Sequence, residues 1–481
     1  MQDSSTLILD YFEQINAVPR CSKNEAALCR WLQAWGKERG FADATDAAGN
    51  LVLRLPAGPG AERAPTVVIQ AHMDMVCEKT PDSDHDFSRN PIRSVRKGDW
   101  LMADRTTLGA DNGIAIAYAL AVADHSDLRR PPMELLFTVD EETGLTGVKQ
   151  MGKDLIQGRI LINLDSEDEG IFTIGCAGGV DSNLSQDLPA EPIPHGWGLY
   201  QLVVGGLNGG HSGIDIHRHR ANANKLLART LAALHKRAEC RIMTLAGGSR
   251  HNAIARDAQG LFACGAVEGS IKGVVAEMEK TFRDEYGANE PGLFVRVDSA
   301  RSDAAIVLTR QASERVVSLL LAFPHGVAGM SPHLPGLVET SSNLAKVSVQ
   351  ASRLRVLSSQ RSSVVTRLAE ITGTVRALAE LSGADVSDEN KYPPWPPRME
   401  DPLLERAKAV YTRLFGKDPV IQVIHAGLEC AIIGALYPGM QMISLGPTIR
   451  DPHSPSERLH IPSVGRVWQF LRALLEDLAR V

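Results

Sequence analysis

From residue 5 to residue 40 the apolar side chains return every three or four positions. Leu7, Ile8, Tyr11, Phe12 and Ile15 share one helical face, with Ser4 or Ser5 placed to cap it. A second helix is predicted from about Asn24, burying Leu28, Trp31, Leu32 and Trp35 and stopping at Gly40. The pattern then changes to short, nearly continuous apolar runs at 51–55, 66–70, 133–139 and 159–164. Between the second and third of these lies an alanine-rich, helix-like segment at 113–124. Apolar strands alternating with helices predict a sheet covered on both faces.

The character shifts near residue 179. A polar, proline-containing passage at 182–194 is followed by amphipathic strands at 261–266 and 293–297, helices at 222–236, 272–285 and 313–323, and a hairpin of 344–350 with 353–358. This predicts an α+β region with a solvated sheet face. Four prolines within 391–398 stiffen the backbone as a linker does. Beyond them come a helix at 402–415, strands at 420–424 and 441–445, and a terminal helix. The fold class is therefore α/β. A discontinuous domain, residues 1–178 and 395–481, is interrupted by an inserted α+β domain, residues 179–394.

A chain of 481 residues accommodates two such domains. Lys+Arg 51 against Asp+Glu 57 leaves a net charge of −6, which argues against nonspecific nucleic-acid binding. No basic segment leads into an apolar run at the N-terminus, and no apolar stretch reaches the roughly 20 residues of a membrane span. The seven cysteines are scattered without a C-x-x-C pair, so no disulfide framework or thiolate zinc site is expected. They read as mostly buried thiols of a cytoplasmic protein.

Polar residues gather where the apolar strands end. The run 66–70 leads into His72 and Asp74, 133–139 into Asp140, Glu141 and Glu142, and 159–164 into Asp165. Asp111 opens the alanine-rich helix, and His453 lies in a Pro/Ser-rich loop after the run 441–445. Ligands of open α/β sheets bind beyond the carboxyl ends of the strands, so these groups can converge on one crevice. Each alone has a plain structural explanation, as a helix cap, a turn or an acidic loop. Together, two histidines and several carboxylates without cysteine suit a catalytic site holding two divalent ions.

The motifs Ala71-His72-Met73-Asp74, Gly109-Ala110-Asp111-Asn112-Gly113, Asp140-Glu141-Glu142-Thr143-Gly144, Asn163-Leu164-Asp165-Ser166, Gly209-Gly210-His211-Ser212-Gly213 and His453 follow one another in this order. The chain thereby resembles the cocatalytic zinc peptidases of the aminoacylase, carboxypeptidase and carnosinase type. Asn208 to Ile216 and His425 to Cys430 resemble the branch of aminoacyl-histidine dipeptidases, with Ala431 where that branch usually has glycine. The resemblance implies a central mixed sheet between helices in the catalytic domain, with the insertion as a lid. It implies two Zn2+ per chain, with Mn2+ or Co2+ able to substitute. Asp111 would bridge them, His72 and Asp165 completing one ion, Glu142 and His453 the other. Glu141 would be the general base, and Asp74 would orient His72. A cis peptide after Asp111 is part of the same expectation. In the lid, His211 would donate to the oxyanion, and Asn252 and Arg361 would hold the substrate. The implied activity is hydrolysis of unblocked dipeptides, Xaa-His among them, by a cytoplasmic homodimer joined through the lid. An aminoacylase or amidohydrolase with the same centre, or a catalytically silent binding relative, stands as the alternative.

Overall fold

The computed structural model describes residues 4–302, 304–332 and 334–480. These form two compact units. The first comprises residues up to Gly175, Trp395–Val423 and Leu428 onwards, and the second comprises Cys176–Pro394 and Ile424–Gly427.

The first unit is built on an eight-stranded mixed sheet. Its order is Ala42–Thr45, Leu51–Leu55, Met133–Thr138, Val67–His72, Ile160–Asn163, Gln441–Ser444, Ile171–Cys176 and Val420–Ile424. The strands Met133–Thr138, Val67–His72, Ile160–Asn163 and Gln441–Ser444 run parallel, and every residue of the first three is buried. That two-sided burial is why they read as continuous apolar runs. The helix Ala110–Asp124 is buried from Asn112 to Ala123, so its small residues face protein on all sides. Tyr118 Oη donates to Val464 O at 2.9 Å, tying it to the terminal helix Ile461–Leu478. A smaller four-stranded sheet carries the hairpin of Ile449–Arg450 and Arg458–His460, whose loop presents His453.

The first helix, Ser4–Asn16, buries Ile8, Tyr11, Phe12 and Ile15, whereas Leu7 is exposed. The Ser4 side chain, one of the two expected caps, lies outside what is described. The second helix, Ala26–Glu38, buries Leu28, Leu32 and Trp35 and leaves Trp31 half-buried. The cysteine expectation needs correction, because Cys21 and Cys77 form a disulfide with Cα atoms 5.8 Å apart. Fifty-six residues separate them, and only the tertiary fold brings them together. Cys176, Cys240, Cys264 and Cys430 are buried thiols.

The second unit is an antiparallel sheet in the order Phe294–Ser299, Gly198–Gly205, Ala258–Cys264, Cys240–Gly247, Val338–Gln350, Arg353–Ser362, Gly178–Asp187 and Asp385–Tyr392. Its core joins Leu202, Ile242, Phe262 and Leu344 of the strands to Leu226, Phe282, Val316 and Val375 of four helices. The predicted hairpin turns through Ala351 and Ser352, both left-handed, as a two-residue connection requires. The polar passage after residue 182 is largely strand. The inward polar side chains of its first strand, Gly178–Asp187, meet polar partners: Ser182 Oγ donates to Gln360 Oε1 at 2.9 Å, and Asp181 accepts from Asn390 Nδ2 at 2.9 Å. Hydrophobic patterning does not register a sheet interior satisfied this way.

A methyl group built on Gly446 would collide with the carbonyl of Ser166, next to the loop bearing Asp165. Backbone cannot yield as a flexible side chain does. Gly446→Ala should therefore cost about 1–3 kcal/mol by denaturant unfolding. Unchanged stability would contradict this close approach.

Candidate metal centre

Val67–His72 lies between Met133–Thr138 and Ile160–Asn163, with His72 opposite Thr138 and Gln70 opposite Asn163. Because the three strands are parallel, their carboxyl ends deliver His72, then Glu141 and Glu142, then Asp165 to one edge of the sheet. Asp111 arrives from the start of Ala110–Asp124, where Asp111 (φ −81°, ψ 106°) and Asn112 (φ −116°, ψ 27°) depart from helical geometry and share a cis peptide bond. Asn112 anchors this turn to the strand ends. Its Oδ1 accepts from His72 N at 3.2 Å, and its Nδ2 donates to Leu164 O at 3.0 Å.

The Asp111 carboxylate reaches in two directions. Oδ1 lies 3.0 Å from His72 Nε2, and Oδ2 lies 3.0 Å from His453 Nε2. Asp165 Oδ1 is 3.4 Å from His72 Nε2, and Glu142 Oε2 is 3.1 Å from His453 Nε2. Of the four groups of possible ligands among the described residues, two share Asp111: His72, Asp111 and Asp165, and Asp111, Glu142 and His453, each with ligand atoms within 4.8 Å of one another; the others are His72, Glu141 and Glu142, and Glu25, Asp74 and Asp140. Oxygen and nitrogen ligands about 2.0–2.2 Å from a tetrahedral zinc lie roughly 3.3–3.5 Å apart, so these spacings suit cations. Glu142 Oε1 is buried with no hydrogen-bond partner among the described residues. The donor set fits divalent metal.

Asp74 organises the centre from behind. Its Oδ1 lies 3.2 Å from His72 Nδ1 and accepts from Glu141 N at 3.0 Å. Its Oδ2 accepts from Ser22 Oγ at 2.8 Å and Glu142 N at 3.2 Å. One carboxylate thus directs Nε2 of His72 toward Asp111 and holds the turn bearing both glutamates. Burial opposes its charge, yet His72 and the Glu141 amide hold its pKa down to about 2. Burial also disfavours charge on the histidines. The surrounding carboxylates overcome it, raising His72 well above its ordinary value and His453 to about 11. Glu141 is also shifted upward, pushed well up by burial, with His72 opposing and Asp165 and Glu142 adding to the rise. Cation binding at these ligands would displace protons.

A model of peptidase family M20/M25/M40 matches residues 68–477. The chain belongs to this peptidase family. It is 38% identical over 470 residues to the cytosol non-specific dipeptidase of Escherichia coli, covering 98% of this chain and 97% of that protein. The solved aminoacylhistidine dipeptidase of Vibrio alginolyticus superposes with a TM-score of 0.89 at 38% identity, over 99% of this chain and 98% of that one. The aminopeptidase PepT of Bacillus cereus, at 17% identity and TM-score 0.57 over 99% of both chains, shares the fold. The M20 peptidases are metal-dependent enzymes, in keeping with this ligand arrangement.

The other singled-out residues lie in the second unit. His211 and Asn252 line one cleft of about 690 Å3. His211 Nδ1 accepts from Gly213 N at 3.2 Å and Ile214 N at 3.1 Å, which places the imidazole proton on Nε2. Ser212 N donates to Asn252 O at 2.8 Å, so the two segments are joined. Arg361 is not among the residues lining this cleft. It is buried on Arg353–Ser362 and donates from Nη1 to Tyr392 Oη at 2.9 Å, so it is not a solvated hairpin charge.

Sequence reasoning missed the buried frame beneath the centre. Glu429 Oε2 accepts from Gln70 Nε2 at 2.5 Å and Thr138 Oγ1 at 2.7 Å. Gln70 Oε1 accepts from Asn163 Nδ2 at 2.5 Å, and Asn163 Oδ1 accepts from Asp165 N at 3.3 Å. The hints were single polar residues, Gln70 and Asn163, inside otherwise apolar strands, and the motif His425 to Cys430 that contains Glu429.

Burial raises the Glu429 pKa from 4.5 to about 8. The folded, metal-free protein then keeps a proton that the unfolded chain loses above about pH 4.5. This contribution is fully present below that value and is lost as pH rises through about 8, at roughly 1.4 kcal/mol per pH unit. Chemical denaturation of the metal-free protein should show Glu429→Gln flattening the decline in stability from pH 5 to pH 8. Equal slopes for the two proteins would contradict it.

Proposed function

We propose that this chain is a dizinc dipeptidase that hydrolyses unblocked dipeptides, Xaa-His peptides among them. The observation that carries the proposal is the Asp111 carboxylate, with one oxygen on each histidine and a further carboxylate completing each set. The cytosol non-specific dipeptidase and the aminoacylhistidine dipeptidase, each 38% identical, support the substrate class. His72, Asp111 and Asp165 would hold one cation, and Asp111, Glu142 and His453 the other. Zn2+ suits the set, and Mn2+ or Co2+ can replace it. Bound there, the cations would acidify water and polarise the scissile carbonyl.

Glu141 accepts the proton of the attacking water and passes it to the leaving amine. Asp74 holds the Nδ1 proton of His72, so Nε2 would be left to offer its lone pair to a bound cation. His211, protonated on Nε2, donates to the oxyanion, either of its own chain or of a partner's. Asn252 supports the same intermediate, and Arg361 pairs with the terminal carboxylate. Residues 1–178 with 395–481 form the catalytic domain in this account, and 179–394 the lid through which two copies pair. No helix among the described residues is long and apolar enough to cross a membrane, and the name of the Escherichia coli relative supports a cytoplasmic location.

Alanyl-histidine should be cleaved, the activity should vanish with a chelator, and added Zn2+ should restore it. Full turnover after metal removal would overturn the proposal. Preference for N-acylated amino acids over free dipeptides would replace it with an aminoacylase. Glu141→Ala should lower kcat by about 10²–10⁴-fold. The variant should retain its metal by elemental analysis, and undiminished kcat would remove Glu141 from its role.

A further inference from the structure

Helix Ala110–Asp124 starts without a cap of its own, since the residue before it, Gly109, is left-handed (φ 69°) and offers no side chain to the first N–H groups. Such groups need an acceptor when buried. Glu457 supplies it from the far end of the chain. Its Oε2 accepts from Leu108 N at 2.7 Å and Gly109 N at 3.0 Å, and its Oε1 accepts from Asp111 N at 3.2 Å. The side chain is buried, at 2% exposure. Arg20 grips the same turn from the other side. It donates from Nη2 to Gly109 O at 2.5 Å and from Nη1 to Asp74 O at 2.9 Å. A methyl group at Gly109 would meet the side-chain ends of Arg20 and Met75, which pack against this left-handed turn.

Glu457 shares the hairpin loop of His453, four residues away. One carboxylate therefore joins the loop that carries His453 to the backbone that carries Asp111. We propose that Glu457 is a positioning residue for the metal centre, setting the 3.0 Å approach of His453 to the shared Asp111 carboxylate. The inference rests on Asp111 and His453 being metal ligands. Glu457 belongs to neither candidate ligand set. It acts through three backbone N–H groups, which fix where Asp111 points and how far the His453 loop stands from it. A purely structural cap would lower stability and leave metal affinity and ligand geometry alone.

The test uses Glu457→Gln, which keeps one acceptor oxygen, and Glu457→Ala, which keeps none. Zn2+ affinity is measured by competition with a chromophoric chelator, and the visible spectrum of the Co2+-loaded protein reports ligand geometry. Both variants should bind Zn2+ about 10–100-fold more weakly, Ala more so than Gln, with an altered cobalt spectrum. With alanyl-histidine at saturating metal, kcat should fall while KM stays within about twofold. Wild-type affinity and spectrum in a folded Glu457→Gln protein would overturn the proposal. If Ala fails to fold, Gln decides; if neither folds, Glu457 is a stability residue and the proposal fails. Because metal binding is read without substrate, an unaltered protein that binds Zn2+ but cleaves no dipeptide would sink the dipeptidase assignment alone.

Discussion

The carboxylate of Asp111 stands between two imidazoles, and much of the first unit serves to keep it there. Asp111, Glu141, Glu142 and Asp165 crowd one sheet edge, with ligand atoms of the candidate sets within 4.8 Å of one another. Unit charges 4 Å apart interact by about 1 kcal/mol in water and by several times that near protein. Such crowding is relieved by protonation of carboxylates, towards which burial pushes Glu141, and by positive charge among them. In the metal-free protein the histidines supply such charge, and the neighbouring carboxylates raise both of their pKa values against burial. Divalent cations relieve the same repulsion more completely, so the arrangement is inherently metal-seeking.

Placing those charges demands a rigid support. Parallel strands supply direction, since three neighbouring carboxyl ends open onto one edge. A buried polar frame supplies precision. Asp74 fixes the His72 ring and the Glu141–Glu142 turn together, while Asn112 ties the Asp111 turn to the strand ends. Glu429, Gln70 and Asn163 link the three strands below. Each of these groups is nearly or wholly removed from water, where a satisfied network stiffens and a broken one is costly.

Much of this was legible in the sequence where the signal is local. The helix Pro402–Phe415 announces itself through Asp401, whose Oδ1 caps Leu403 N at 2.9 Å, with proline in the first turn. The strands Leu51–Leu55 and Val420–Ile424 match their apolar runs residue for residue. Apolar runs also place His72, Glu142 and Asp165 at strand ends, and the structure brings them within reach of Asp111 and His453. What escaped is long-range. Gln70 meets Glu429 across 359 residues, and Leu108 meets Glu457 across 349, distances over which no periodicity carries information. Gly178–Asp187 escaped for another reason, since its buried residues are polar and paired with polar neighbours. The disulfide of Cys21 and Cys77 likewise follows from tertiary proximity alone.

Asp111 shared by two cations is the central requirement of the proposed site, and counting bound metal tests it most directly. Titration of the metal-free protein with Zn2+, followed by native mass spectrometry, should find two ions per unaltered chain. For Asp111→Ala, both binding steps should weaken together. One ion per unaltered chain, or an Asp111→Ala protein that keeps either step at full affinity, would contradict a shared carboxylate.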